Sequence, residues 1–259
     1  MESLQELKKL INEAKNICII PNQSDEPESL TATLALFYTL KELHKNVNLI
    51  IPQLPENLSF LIPSLDFITQ PKNFVISIPK TVADISQVYY EKQAENLKIH
   101  LTIERGTIKK EAISFYFSDT KPDLTITLGI QNFHKELGGK LDSFGFLLDS
   151  PIINIDNNLL NLKFGKINLI EEKSLSEIIL QISAQITDQL PNKNTSHCLL
   201  TGLTIYYKNF QDANIPPNIF ELCAQLMKQG AMRQEIINNL YPQNLPTTNN
   251  IIEEKNIHI

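Results

Sequence analysis

An α/β fold, with a Rossmann-like parallel sheet flanked by helices, is predicted by three features of this chain. Near the N terminus a short apolar run, ICII (17–20), leads through a polar loop and a helical pattern to a second run, VNLII (47–51). That is the order of a βαβ unit, with the polar loop at the carboxyl end of the first strand. Two later runs, LTITL (124–128) and IINI (152–155), are each followed by helical stretches, so parallel order resumes downstream. Between these halves, residues 73–118 alternate at period two, which reads as an antiparallel β insertion on an edge of the main sheet.

Taken in order, residues 1–16 (MESLQELKKLINEAKN) place Leu4, Leu7, Leu10 and Ile11 on one face of an amphipathic helix. The first strand, 17–20, stops at Pro21 and the loop NQSDEPES; a helix from about Glu28 to His44 then spaces Leu30, Leu34, Leu40 and Leu43 helically. A proline-punctuated connection, 52–72, holds a small apolar cluster of Leu58, Phe60, Leu61 and Ile62. The insertion contributes strands at 74–78, 88–90, 97–103 and 113–117, with Arg105-Gly106-Thr107 as a turn between the last two. Alternation there is expected to bury about half of the rings of Tyr89, Tyr90, Phe115, Tyr116 and Phe117, and to leave His100 on a surface-facing position.

After the strand at 124–128, closed by Gly129, comes a short helical stretch in which His134, Lys135 and Glu136 read as a solvated face. The strand at 152–155 runs into Asp156-Asn157-Asn158, a polar turn in which Asx side chains cap backbone groups. Helices follow at 174–190, carrying Leu175, Ile178, Ile179, Ile182 and Ile186 on one face, and at 196–207, 218–228 and 232–240. Gly230 sits where a helix C-cap would, and the Asn/Pro/Thr-rich residues from Gln243 read as a flexible tail, 242–259.

Composition removes several classes of function. With 259 residues, 42% hydrophobic and 20% charged, the chain is folded and large enough for one large or two small domains. A net charge of −6, pI about 5.4 and no Lys/Arg run argue against general nucleic-acid or anionic-membrane binding. No apolar run reaches the roughly 18 residues of a membrane span, and nothing at the N terminus reads as a signal peptide. Cys18, Cys198 and Cys223 are far apart in apolar contexts, as inert buried thiols of a cytoplasmic protein would be.

In an open parallel sheet ligands bind outside the carboxyl ends of the strands, and the residues there resemble a known pattern. The stretch IDNNLLNLKFGKINLI, with Asn161, Phe164, Gly165 and Asn168, is similar to the signature region of the DHH phosphoesterase superfamily (nanoRNase/RecJ-like), where Asp-His-His follows a strand. IIPNQSDEPESLTATLAL, PDLTITLG, SLSEIILQI and LLTGLTIYYKNF resemble other segments of that superfamily in the same order, so the resemblance spans residues 5–241 around the insertion. It implies a DHH-like α/β domain, 1–241, and a chemistry in which two Mn²⁺ ions clamp water and a phosphoryl oxygen to hydrolyse phosphodiesters. The superfamily's C-terminal substrate-binding domain, with its glycine-rich motif and histidine, is expected to be absent.

Carried over position by position, the metal ligands are largely replaced. Asn22 stands at a histidine position; Glu26 and Glu28 stand at two aspartates, with Pro27 in place of glycine. Gly129 takes the place of the bridging aspartate, Asp156 is kept, Asn157 and Asn158 replace two histidines, and Tyr206 takes the last acidic position. Hard divalent ions require carboxylate or imidazole ligands, so no metal or other cofactor is expected; Glu26, Glu28 and Asp156 are the only weak candidate ligands, with Asp25 if the loop shifts by a residue.

Three functions follow. One is a catalytically degenerate protein with a non-catalytic binding or assembly role, favoured because the framing residues persist while the ligand positions changed together. The second is an active Mn²⁺-dependent phosphoesterase with an altered site, acting on short oligonucleotides or nucleotide phosphates. The third is a metal-free binder of a nucleotide or phosphate compound through Asn22, Ser24, Asn157, Asn158 and Tyr206, which Glu26 and Glu28 would oppose. The insertion, with an exposed sheet edge, is the expected seat of a protein partner or of a homodimer.

Overall fold

The computed structural model describes residues 2–22, 27–51, 54–64, 73–118, 122–137 and 150–242. Two compact units emerge, one formed by Met1–Gln70 with Pro122–Ile259 and the other by Pro71–Lys121. In the larger unit α1 (Glu2–Glu13), β1 (Asn16–Pro21), α2 (Pro27–Glu42) and β2 (Asn46–Leu49) come first, followed by a 3₁₀ helix, Glu56–Leu61. After the insertion come β7 (Leu124–Leu128), α3 (Phe133–Leu137), β8 (Ile152–Asp156), β9 (Ile167–Ile170), α4 (Leu175–Thr187), α5 (Lys193–Tyr206), α6 (Pro217–Lys228) and α7 (Arg233–Leu240).

The five strands form one parallel sheet in the order β2-β1-β7-β8-β9. From β1 the chain therefore goes first to one side, to β2, and later to the other, to β7. The point where the winding reverses lies between β1 and β7, and it is there that open α/β sheets form a crevice at their carboxyl ends.

Side chains alternate across the pleat, and the sheet is covered on both faces. Ile17 and Ile19 join the main core with α1, α2, α4 and α5, whereas Cys18 and Ile20 join a smaller cluster with Ile130, Phe133 and Leu137. Helix α2 is buried at every residue from Ser29 to Leu40, as befits a helix enclosed by others rather than lying at a surface. The buried Thr39 is accommodated by bonds within and between helices: its Oγ1 lies 2.9 Å from the Ala35 carbonyl and 3.1 Å from Ser183 Oγ of α4. The apolar cluster expected near residue 60 is the 3₁₀ helix, which buries Leu58 and Leu61 and is tied down where Tyr38 Oη donates to the Leu61 carbonyl at 2.8 Å.

The insertion departs from expectation in two ways. Strands β3 (Asn73–Ser77) and β6 (Ser114–Ser118) pair antiparallel with each other, as do β4 (Ala83–Lys92) and β5 (Leu97–Gly106). Among the described residues neither ladder pairs with the five-stranded sheet, whereas the sequence pattern places the insertion on its edge. Gly106, at φ +90°, ends β5 against the Val82 carbonyl, and a 3₁₀ turn, Lys110–Ala112, precedes β6.

The expected half-burial of the rings also fails on β4. Tyr89 and Tyr90 lie at successive positions, on opposite faces of the ribbon, yet they are 55% and 68% exposed. His100 is partly sheltered instead by stacking on Tyr89, with ring centroids 4.6 Å apart and planes 4° from parallel. The side chains of Tyr116 and Phe117 lie outside the described residues, as does the tail from Gln243. No helix among the described residues is long and apolar enough to cross a membrane.

Candidate functional site

The reversal point places Asn22 at the end of β1 beside Gly129 at the end of β7. The Asn22 backbone N–H donates to the Leu128 carbonyl at 2.7 Å, and its side-chain amide donates to the Gly129 carbonyl at 2.9 Å. Ser29, in the first turn of α2, completes the junction: its hydroxyl donates to Leu128 O at 3.0 Å and lies 3.2 Å from the Asn22 N–H. Gly129 adopts φ +68°, and a Cβ there would meet Ser29 Oγ at 3.2 Å and Asn22 Cβ at 3.4 Å. A carboxylate-bearing side chain at this position would need both a strained backbone and displaced neighbours.

One strand over, β8 ends in Asp156, which is 1% exposed. Its Oδ1 accepts from the backbone N–H groups of Asn157 at 2.8 Å and Asn158 at 3.3 Å; its Oδ2 accepts from the Asn161 side-chain amide at 2.6 Å. Asn161 continues the network, donating to the Ile130 carbonyl at 2.8 Å and accepting from Asn154 Nδ2 and the Lys163 N–H, both at 2.7 Å. Asn154, fully buried in mid-strand, donates to Asn168 Oδ1 and accepts from Thr127 Oγ1 at 3.1 Å. Buried polar groups must be paired, and here each amide satisfies the next.

The two asparagines of the turn have different roles. Asn158 Oδ1 accepts from the Leu160 N–H at 2.9 Å, an Asx turn of the expected kind. Asn157 reaches instead across the sheet edge, its amide 3.4 Å from Glu28 Oε2. The other oxygen of Glu28 accepts from the Leu175 N–H, the first backbone donor of α4, at 2.6 Å. A carboxylate is favoured there because the first N–H groups of a helix lack intrahelical partners and the helix dipole is positive at that end. Ser174 and Glu177 close the same helix start as a reciprocal capping box.

Tyr206, at the end of α5, lies beside this acidic helix start and is 38% exposed. Burial, then the carboxylates of Glu28, Glu177 and Glu172, push its phenol above the ordinary range. The neighbouring Tyr207 donates its hydroxyl to Glu177 Oε2 at 3.1 Å, and its phenol is likewise raised, by burial and then by Glu177. The edge is thus negative, held by carboxylates that accept from the protein's own donors.

Direct hydrogen bonds therefore join Asn22 to Gly129, Asp156 to its turn, and Asn157 to Glu28, while Tyr206 interacts electrostatically with Glu28. Ser24, Asp25 and Glu26 lie outside the described residues. Among the described residues, no three His, Cys, Asp or Glu side chains are grouped so as to hold a metal ion. The surface helix face at His134 and Lys135 is exposed as expected, but Glu136 is not a bystander: its Oε1 accepts from the N–H groups of Gln131 and Asn132. Asn154 and Glu177 were not singled out from the sequence. An amide inside the run IINID and the Ser-x-x-Glu spacing of SLSE are the signals that mark them.

No protein-family model matches the chain, and no curated protein matches it. Among solved structures it is similar to an exopolyphosphatase-related protein from Bacteroides fragilis, with a TM-score of 0.65 and 16% identity over 93% of this chain. The chain spans 60% of the length of that structure. RecJ from Thermus thermophilus, solved in complex with Mn²⁺, is a more distant match, with a TM-score of 0.39 and 14% identity over 78% of this chain and 24% of that one.

Proposed function

We propose that the chain is a catalytically degenerate form of the DHH-phosphoesterase-like fold with a non-catalytic binding or assembly role, a reading supported by its likeness in fold to the exopolyphosphatase-related protein. The observation that carries this is Asp156, the one acid retained in the signature turn. It is buried, and both its oxygens accept from the protein's own N–H groups. A ligand to a divalent cation must present lone pairs to the ion, and three of the roughly four acceptor sites of this carboxylate are taken by N–H groups of residues 157–161.

The described residues at this edge do not fit a pair of Mn²⁺ ions. Two such ions require several anionic or imidazole ligands converging on one space. Position 129 offers no side chain, positions 22, 157 and 158 offer amides, and Glu28 is turned to the start of α4. The same acidic edge disfavours an anionic nucleotide or phosphate compound. Three buried cysteines suit a reducing, cytoplasmic setting.

The test is hydrolysis of a short oligonucleotide and of a cyclic dinucleotide by the full chain, with and without millimolar Mn²⁺, alongside calorimetric titration with Mn²⁺ alone. The expected result is no turnover above buffer and no Mn²⁺ binding in the micromolar range. Mn²⁺-dependent turnover that disappears in a Glu26→Gln, Glu28→Gln double variant would overturn the proposal.

A further inference from the structure

The β4–β5 ribbon has two distinct faces. In its register Val88 opposes Leu101, Tyr90 opposes Ile99 and Lys92 opposes Leu97, whereas Tyr89 opposes His100 and Glu91 opposes Lys98. The first face is apolar yet open to solvent: Val88, Leu97 and Ile99 are 67%, 61% and 49% exposed. The second face is polar, with His100 Nε2 3.6 Å from Glu91. Among the described residues neither outer edge of the ribbon pairs with another strand. Isolated two-stranded ribbons are marginal in water, whereas a wider sheet with one apolar face is stable, and an unblunted edge is a template for another strand.

The geometry points to a second copy of this chain as the occupant of the β5 edge, added antiparallel about a two-fold axis at Leu101. In an antiparallel pair about an axis normal to the sheet, residue i opposes the partner residue whose number makes a constant even sum with i, and each face continues across the junction. Centred on Leu101, Ile99 opposes the partner's Ile103 and Leu101 opposes its own copy, all on the apolar face. On the polar face Lys98 opposes the partner's Glu104, and by symmetry the same ion pair forms at the other end. This is the only centre on β5 that sets opposite charges against each other on the polar face.

The β4 edge has no such complementarity. Its regular part, Gln87–Lys92, holds only Glu91 and Lys92 as charges, and these lie on opposite faces. The register shifts around Ile85 fall on both strands, between Asp84 and Gln87 of β4 and between Thr102 and Arg105 of β5, and so favour neither edge. Leu97–Thr102 of β5 is regular and free of proline. The product is a four-stranded sheet, β4-β5-β5-β4, closed by its symmetry so that no β5 edge is left for a third copy.

The test is the solution mass of the full chain by sedimentation equilibrium at tens of micromolar, expected to be twice the 29.5 kDa chain mass. Lys98→Glu and Glu104→Lys each place like charges opposite one another twice, and each is expected to weaken the dimer at least about tenfold. Mixing the two variants restores opposite charges at both ends and should restore a dimer. In a separate arm, Leu101→Cys should form an intermolecular disulfide on mild oxidation and Val88→Cys should not, since only the former meets its own copy; the native cysteines are buried. A monomeric parent chain, a dimer indifferent to both charge variants, or a mixture that stays monomeric overturns the proposal. Circular dichroism of each variant separates loss of pairing from loss of fold.

Discussion

Replacing Asp156 by Asn changes one oxygen for one NH₂ group and keeps the size of the side chain, so it isolates what the carboxylate does. If the amide keeps its oxygen on the N–H groups of Asn157 and Asn158, its nitrogen faces the Asn161 nitrogen where Oδ2 accepted at 2.6 Å. Turned the other way, it points a donor at those two N–H groups. Nor can Asn161 flip to help, because its nitrogen also donates to the Ile130 carbonyl and its oxygen accepts from Asn154 and Lys163. Losing one charge-assisted bond and leaving a buried donor without an acceptor costs about 2–4 kcal/mol. For a domain of this size that lowers Tm by about 5–15 °C. Thermal and urea unfolding of Asp156→Asn against the parent measure it directly. A variant as stable as the parent, or more stable, would refute the reasoning. That is the behaviour of a carboxylate held near other acids for a cation, where neutralisation relieves repulsion.

Other outcomes follow from the same contacts. Glu28→Ala removes the carboxylate from the start of α4 and should cost about 1–2 kcal/mol in urea unfolding; an unchanged midpoint would show that Glu28 does not anchor that helix. The phenols of Tyr206 and Tyr207 are raised in the folded state above their ordinary value of 10.0. The unfolded chain therefore loses those protons first, and stability should be full below about pH 10 and decline as pH rises beyond it. Tyr207→Phe should flatten that alkaline decline, and a slope identical to the parent's would contradict the assignment. Burial raises the Cys223 thiol to about 11 and holds Cys198 higher still, so alkylation at pH 8 should be slow in the native protein and complete on unfolding. Rapid native modification of Cys198 would refute its placement in the core.

Much of the fold was legible because burial leaves local traces. The runs ICII, LTITL and IINI became β1, β7 and β8 within a residue or two, since strands covered on both faces read as continuous apolar stretches. The helix starting near Leu175 was legible from its Ile spacing, and Gly230, at φ +101°, does follow α6. The insertion was harder. Its period-two pattern announced strands but not which strand pairs with which, and the ribbon proved longer and more exposed than alternation implied. Glu136 read as solvated because its partners, the N–H groups of Gln131 and Asn132, belong to the backbone and leave no mark in side-chain pattern.

By itself the sequence determined the class of fold, the order of its elements and the residues that arrive at the carboxyl edge, because hydrophobic periodicity and loop polarity are local properties. Tertiary structure alone decided what those residues do there. Glu28 meets a helix start 147 residues away, Asp156 is enclosed by an amide five residues on that folds back beneath it, and Gly129 closes against Ser29 and Asn22. Hydrogen-bond capacity is written in residue type, but its satisfaction depends on direction and distance, and these exist only once strands from distant parts of the chain lie side by side.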